Sequence, residues 1–430
     1  MELSPEQVRY LTKRRWAVLV ASCLINLCIG SMYAWSVFAA PMAEHLSSVT
    51  GMALTAGSLA IVFSIANSLG PITLISGGYI NDKFGPKWVI FAGGVMYGSG
   101  LIISGFAKGI GMLIFGYGIV CGLAMGLVYG CTISNSVKFF PDRRGMVGGI
   151  TTASYGISSV IISPIANYLI IRTGVTSAFK MFGLVFFILI TIGTIFVTKS
   201  PRDFKPWGWT PPKDFYSLGG KEAIEKNWRG MLADPVFYVM ILMLVCGANF
   251  GMMIISQASS IAQTMVNLSV SSATIVVSLI ALSNSIGRAS AGFISDKIGR
   301  INTLTIMLIV ALGAMGLLFF CQEQNIIRFY ISIVLIGLCF GSFMGVYPGF
   351  TADQFGSRNN SVNYGIMFIG FAIAGLTGPN IVAGIYSATN SYQPAFLVGG
   401  FLAISGLVLS VIYRLIVRNR KKEAVSLEGK

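Results

Sequence analysis

Arg288 is the one Lys or Arg that falls inside an apolar stretch long enough to cross a membrane; every other one lies at an edge or in a polar segment. A guanidinium at that depth costs at least ~2.5–3.5 kcal/mol on insertion scales, so it needs a partner or a water-filled cavity. No Asp or Glu falls well inside any apolar stretch, since Glu44, Asp234, Glu323 and Asp353 all sit at ends. A structural ion pair therefore has few candidates, and arginine's planar fork suits a carboxylate bidentately. The expected partner is a small anionic ligand. Asn284, one helical turn earlier on the same face, can hold the guanidinium or touch the ligand. Side chains tilt toward the amino end of their helix, so Arg288 is expected to point toward the bilayer centre. Asn26 and Tyr33 share one helical stripe, and Asn249 lies on another with Ser256 and Gln263. Tyr129, Tyr155, Tyr347, Tyr364, Phe368 and Phe371 are the aromatic residues that can complete a small cavity.

A second constellation occurs twice. Gly78-Tyr79-Ile80-Asn81-Asp82-Lys83-Phe84-Gly85-Pro86-Lys87 and Gly292-Phe293-Ile294-Ser295-Asp296-Lys297-Ile298-Gly299-Arg300 each put an acid at a helix end beside two cations and a turn glycine. Asp82, Asp296, Lys83, Lys297 and Arg300 are candidate gating residues. So are Arg143 and Arg358, which occupy corresponding loops in the two halves of the chain.

The elements that must position these residues are membrane helices. The chain has 430 residues, 54% of them hydrophobic and 10% charged, and apolar runs of 18 or more recur along its length. Hydrocarbon cannot satisfy loose backbone groups and the runs far exceed barrel strands of ~9–11 residues, so an all-α protein is expected. Twelve spans are predicted between residues 16 and 416. The first, over 16–41, is too long and too polar for a signal-peptide core and stays in the membrane.

A net charge of +15 would suggest nucleic acid for a soluble chain, but here its distribution sets topology and argues against a nucleic-acid partner. With both termini inside, all but Lys108, Arg172, Lys180, Arg328 and Arg288 fall on the cytoplasmic side. That reading places the chain in the cytoplasmic (inner) membrane of a bacterium or archaeon, with lipid contacts at the basic run Arg418, Arg420, Lys421, Lys422. The seven cysteines lie in apolar spans without metal-like spacing, and His45 is the sole histidine. No metal, cofactor or catalytic group is indicated, which argues against an enzyme.

The chain is one six-helix unit written twice. Gly122, Gly126 and Gly130 recur as Gly337, Gly341 and Gly345, and Pro164 recurs at the same offset as Pro379. Six is even, so the halves share one orientation and form a parallel repeat. The expected organisation is a first half over 1–198, a cytoplasmic linker over 199–234 with Lys205-Pro206-Trp207-Gly208-Trp209-Thr210-Pro211-Pro212, a second half over 235–416 and a basic tail over 417–430. Asn67-Ser68-Leu69-Gly70-Pro71 aligns with Asn284-Ser285-Ile286-Gly287-Arg288, so the buried cation is an addition to the repeat.

The twice-occurring loop resembles the signature loop of the major facilitator superfamily, and the resemblance covers all twelve spans. It implies that fold, with Asp82 and Asp296 as latches holding the inward-closed state. The segment Asn26 to Phe38, the linker, Asn284 to Arg288 and the opening Asn363-Tyr364-Gly365 resemble the oxalate:formate antiporter branch, itself similar to monocarboxylate transporters. That resemblance implies an oxalate site built from an arginine, matched by Arg288, and a lysine in span 11. Here Phe371 stands at the lysine's place, and residues 361–386 contain no Lys or Arg. One fixed cation balances one monocarboxylate, whereas a dicarboxylate would leave a negative charge uncompensated.

The expected function is secondary active transport of a small monocarboxylate such as lactate, pyruvate or formate by alternating access. Proton symport and anion exchange both stay open, a co-transported proton being the candidate second cargo, and the unit is expected to be a monomer. The alternatives are an oxalate:formate antiporter and, from another class, a membrane sensor of carboxylates, although nothing here resembles an output domain.

Overall fold

The computed structural model describes residues 4–428 except 56–57, 202–203 and 211–224; side chains at 60, 270, 271, 274, 421 and 423–428 also go undescribed. Pro211, Pro212 and the Lys421 side chain, named above, lie outside the described residues. Among the described residues the regular structure is helical, and twelve helices are long and apolar enough to cross a membrane. Spans 1–6 are Pro5–Thr50, Ile61–Phe84, Pro86–Ser104, Ile110–Phe139, Arg144–Thr173 and Val175–Phe196. Spans 7–12 are Pro235–Val266, Ile275–Ile298, Arg300–Phe319, Ile326–Phe355, Asn360–Thr389 and Gln393–Arg420. Several outrun the apolar stretch that announces them, because a helix continues past the hydrocarbon until a cap or turn glycine ends it. Gly85 and Gly299, at φ +100° and +89°, make those turns after the two Asp-containing ends.

Two compact units form. Unit 1 is Met1–Phe140, Ser154–Trp207 and Asn360–Gly365; unit 2 is Pro141–Ala153, Gly208–Asn359 and Ile366–Lys430. The start of span 5 thus belongs with unit 2, and the start of span 11 with unit 1.

Each unit is packed through its glycines. In unit 1 a Cβ on Gly126 would fall 2.1 Å from the Gly70 carbonyl oxygen of span 2, and one on Gly98 would fall 2.8 Å from the Gly183 oxygen of span 6. In unit 2 a Cβ on Gly341, the repeat equivalent of Gly126, would fall 2.0 Å from the Asn284 oxygen, and one on Gly345 2.2 Å from the Arg288 oxygen. Lipid tails are as apolar as side chains, so close van der Waals approach between helices replaces the hydrophobic drive available in water. The glycine rows supply that approach.

Span 1 is not one continuous α-helix. Pro5–Ile29 gives way to a 3-10 segment, Gly30–Ala34, before Trp35–Thr50 resumes. A break frees backbone carbonyls that hydrocarbon cannot solvate. Buried hydroxyls take them up: Tyr97 donates to the Ile29 carbonyl at 3.1 Å, Tyr117 to Met32 at 3.0 Å and Ser158 to Leu27 at 2.6 Å. Gly30 permits the close approach, since a Cβ there would lie 2.3 Å from the Tyr155 carbonyl oxygen.

Candidate functional site

Arg288 lies in span 8 at 2% exposure. Its Nε donates to Asn284 Oδ1 at 3.0 Å, and Nη1 donates to the Thr152 carbonyl, in the part of span 5 belonging to unit 2, at 3.2 Å. Both acceptors are neutral. The backbone beneath it is wedged between glycines: Cβ atoms on Gly149 and Gly345 would come within 2.3 Å and 2.2 Å of the Arg288 carbonyl oxygen. Gly341 meets the Asn284 carbonyl from the same side of span 10. The arginine is therefore aimed by close helix contact on two sides and by one side-chain bond from its own helix.

The other expected cavity residues fall into separate groups. In unit 1 Tyr155 makes edge contacts with Tyr33 at 5.0 Å and Tyr129 at 5.1 Å, beside the break in span 1. Asn26 accepts a hydrogen bond from Thr132 at 3.0 Å. Tyr364 is buried in the same unit. In unit 2 Phe368 and Phe371 stack at 4.6 Å, with Phe340 6.3 Å from Phe371. The Tyr347 hydroxyl is taken up by the Met240 carbonyl at 2.7 Å. Asn249 donates to Thr377 of span 11.

The duplicated acids sit in two different networks. In unit 1 Asp82 pairs with Lys138 at the end of span 4 and accepts from the Val362 N–H at 3.4 Å. Next to it Asn81 donates to Ser361, which donates to Ser134, each at 2.7 Å. In unit 2 Asp296 accepts from the Gly145 and Met146 N–H groups at 2.8 and 2.7 Å, capping the start of span 5, and from Arg300 at 2.6 Å. Carboxylates are favoured at a helix N-terminus, where backbone donors lack partners. Arg300 also binds Asp353 at 2.8 Å, and Asp353 binds Arg144 at 2.8 Å.

Some expected gating residues lie elsewhere. Lys83 and Lys297 rest over the rings of Phe84 and Phe293. Arg143 reaches Asp142 at 3.7 Å with its side chain 54% exposed, and its neighbour Arg144 enters the network instead. The Arg358 backbone N–H donates to Glu225 at 2.9 Å. Sequence reasoning assigns no site role to Thr152, Lys138, Arg144 or Asp353, the last being read as a span-end acid. A usable signal exists for two of them: Lys138 and Asp353 stand at the same repeat offset that relates Gly126 to Gly341, with opposite charges.

A third charged cluster joins the end of the linker to the last helix. Asp234 caps span 7 through the Val236 N–H at 2.9 Å and takes bonds from Arg420 and Lys226. Burial pushes its carboxyl upward, but the two cations and the N–H outweigh that and hold it down at about 2.

Comparisons with known proteins agree with this architecture. The family model described as Major Facilitator Superfamily matches residues 20–379. The chain is 29% identical to the uncharacterized MFS-type transporter YhjX of Escherichia coli, covering 85% of this chain and 86% of the other. It is 28% identical to the oxalate:formate antiporter of Oxalobacter formigenes, over 93% and 91% of the two chains. Against human monocarboxylate transporter 12 the identity is 24%, over 95% and 82%. With twelve apolar helices in a doubled six-helix arrangement and a family match over most of its length, this multi-pass membrane protein belongs to the major facilitator superfamily of transporters.

Proposed function

We propose that the protein is a secondary active transporter of small monocarboxylates in the cytoplasmic membrane, with both termini cytoplasmic, working by alternating access as a proton symporter or anion exchanger. The observation that carries this reading is Arg288: a guanidinium at 2% exposure whose hydrogen bonds, among the described residues, go to two neutral oxygens. A charge so buried is strongly unfavourable without a counterion, and a substrate carboxylate supplies one. Asn284 holds Nε, so the fork's other edge is the one that meets the cargo, exchanging the Thr152 carbonyl for a carboxylate oxygen. The carboxylate brings the counter-charge that the carbonyl lacks, so that exchange favours binding.

Asp82 and Asp296 act as the latches. Each accepts backbone N–H groups at the start of a helix near a unit changeover, so each ties that start down when paired and releases it when not.

One reading competes. The oxalate:formate antiporter is a relative over nearly the full chain, and a divalent exchanger would use the same arginine. Against it stands Phe371, stacked on Phe368 where that branch is expected to carry its second cation. Uptake into proteoliposomes with radiolabelled lactate, pyruvate, formate and oxalate separates the two. Monocarboxylate uptake that disappears in Arg288→Ala, with Arg288→Lys retaining part of it, is the expected result. Wild-type affinity in Arg288→Ala sinks the site, and tighter oxalate than monocarboxylate binding hands the function to the exchanger. Phe371→Lys should raise the oxalate-to-lactate affinity ratio.

A further inference from the structure

Two carboxylates hold the chain where span 11 begins. In unit 1 Asp82 accepts the Val362 N–H at 3.4 Å, and Ser361 bonds to Asn81 and Ser134, each at 2.7 Å. In unit 2, four residues earlier, Glu225 at the end of the linker accepts the Arg358 N–H on Oε2 at 2.9 Å and the Ser357 N–H on Oε1 at 3.2 Å. The boundary between the units runs between these two sets of bonds, since Asn359 closes a segment of unit 2 and Asn360 opens one of unit 1.

Glu225 is itself anchored within unit 2. Its neighbour Lys226 donates its backbone N–H to the Phe355 carbonyl at the end of span 10, at 2.9 Å, and its own carbonyl accepts from the Asn359 side chain at 3.4 Å. The Lys226 ammonium binds Asp234 at 2.5 Å, and that carboxylate, its side chain 1% exposed, also takes Arg420 of span 12. The end of the linker is therefore fixed to spans 7, 10 and 12, and it carries one carboxylate to the loop that leads into span 11.

The two holds are unequal. Amides at a helix start have no helical partner of their own, so an acceptor there sets where the helix begins. Asp82 takes one N–H, at 3.4 Å, whereas Glu225 takes two, one of them at ordinary length. The Ser357 hydroxyl lies 3.5 Å from Glu225 Oε1, at the limit of a hydrogen bond. Glu225 thus gains further once Val362 is released and the loop can settle onto it. A contact shifts an equilibrium by the difference it makes between the two states, and this one grows on release.

We propose that Glu225 is a positioning residue for the transport cycle, drawing the start of span 11 away from Asp82 and so favouring the inward-open form that the latch opposes. The inference rests on the latch reading of Asp82 above and adds the group that works against it.

The test is maleimide labelling of a reporter, Val362→Cys, in full-length protein in nanodiscs, with the labelling of the parent protein subtracted. Val362 is 8% exposed, and the substitution keeps its backbone N–H, so the reporter reacts as the start of span 11 comes away. No cargo is needed. In the reporter background Asp82→Asn is expected to speed labelling, Glu225→Gln to slow it about threefold, and Glu225→Asp to restore part of the rate. Mere loss of stability would speed the labelling of a buried thiol, so slowing separates a positioning role from damage to the fold. Gel filtration checks folding, and Glu225→Ala, with the same expected slowing, stands in should the glutamine variant not fold. Labelling that is unchanged or faster in the folded Glu225 variants, beside faster labelling in Asp82→Asn, overturns the role of Glu225 and leaves the latch standing. Labelling in Asp82→Asn no faster than in the reporter protein overturns both.

Discussion

The two latches began as copies and solve the same problem with different charges. In unit 1 the acid meets its cation directly, Asp82 to Lys138. In unit 2 the repeat equivalent of Lys138 is Asp353, which by itself would repel Asp296. Arg300 stands between the two acids, where unit 1 has Pro86, and Arg144 completes the set on the far side of Asp353. Among the ion pairs of the described residues, Asp82 balances Lys138, and Asp296 and Asp353 balance Arg300 and Arg144. Duplication has preserved the place of the latch and the need for neutrality, while the residue supplying each sign has moved. The larger network also holds two backbone N–H groups at 2.8 Å or less, against one at 3.4 Å in unit 1.

The comparison breaks most readily at Asp296. Asp296→Ala removes the acceptor of three donors and leaves Arg300 with Asp353 as its one acidic partner in a network with an excess positive charge, and should lower stability by about 2–4 kcal/mol, whereas Asp82→Ala should cost about 1–2. Thermal unfolding of both variants in one detergent decides it; equal losses would mean that the four-charge network is no stronger. With Asn in place of either Asp, cysteine accessibility should shift toward the inward-open form, more for Asp296→Asn than for Asp82→Asn.

A transplant sharpens the point. Arg300→Pro alone leaves Asp353 facing Asp296 and should destabilise by about 2 kcal/mol. Adding Asp353→Lys and Arg144→Asn recreates unit 1's pattern in unit 2 and should recover about half of that loss. No recovery in the triple variant would show that the two latches are not interchangeable solutions.

The first spans of the two units differ as well, and the expected effects there are smaller. Span 7 is continuous over Pro235–Val266, while span 1 is broken at Gly30 and relies on Tyr97 and Tyr117 for its freed carbonyls. Tyr97→Phe and Tyr117→Phe should each cost about 1–2 kcal/mol, read from melting temperature. Span 7, in turn, is capped by a charge, whereas span 1 begins with the neutral box Ser4–Gln7.

The smallest effect is the acid response. Asp234 is held at about 2, below the usual carboxylate range, so its stabilisation is complete above pH ~4 and is lost as the pH falls from there through 2. Melting temperature should be insensitive to this group between pH 5 and 7, and Asp234→Asn should remove part of the decline below pH 4. An unchanged acid limb in that variant would place the acid sensitivity elsewhere.

Much of this is legible in the chain because membranes leave few options. Hydropathy announces twelve spans, and glycines and prolines recurring at one constant offset announce the repeat. Arg288 and Asn284 are visible because they share one helix face, and i to i+4 geometry needs no tertiary knowledge. Partners contributed by other helices are not visible. Lys138 and Asp353 read as ordinary end charges until the fold brings them to Asp82 and Arg300. Arg143 draws notice through its repeat partner Arg358, yet the next residue, the first of the span 5 helix, is the one turned into the network. The break in span 1 has no proline to mark it, and its compensating hydroxyls come from spans 3, 4 and 5.

The glycines around Arg288 carry a consequence for how such a protein tolerates change. Gly149, Gly341 and Gly345 have no side chain to offer a cargo, yet a single methyl on any of them would collide with neighbouring backbone. Helix must then move, and the guanidinium moves with it. A saturation screen for loss of uptake should therefore score these three positions as harshly as the arginine itself. The resulting sensitivity map would trace the scaffold behind the cargo rather than the surface that touches it.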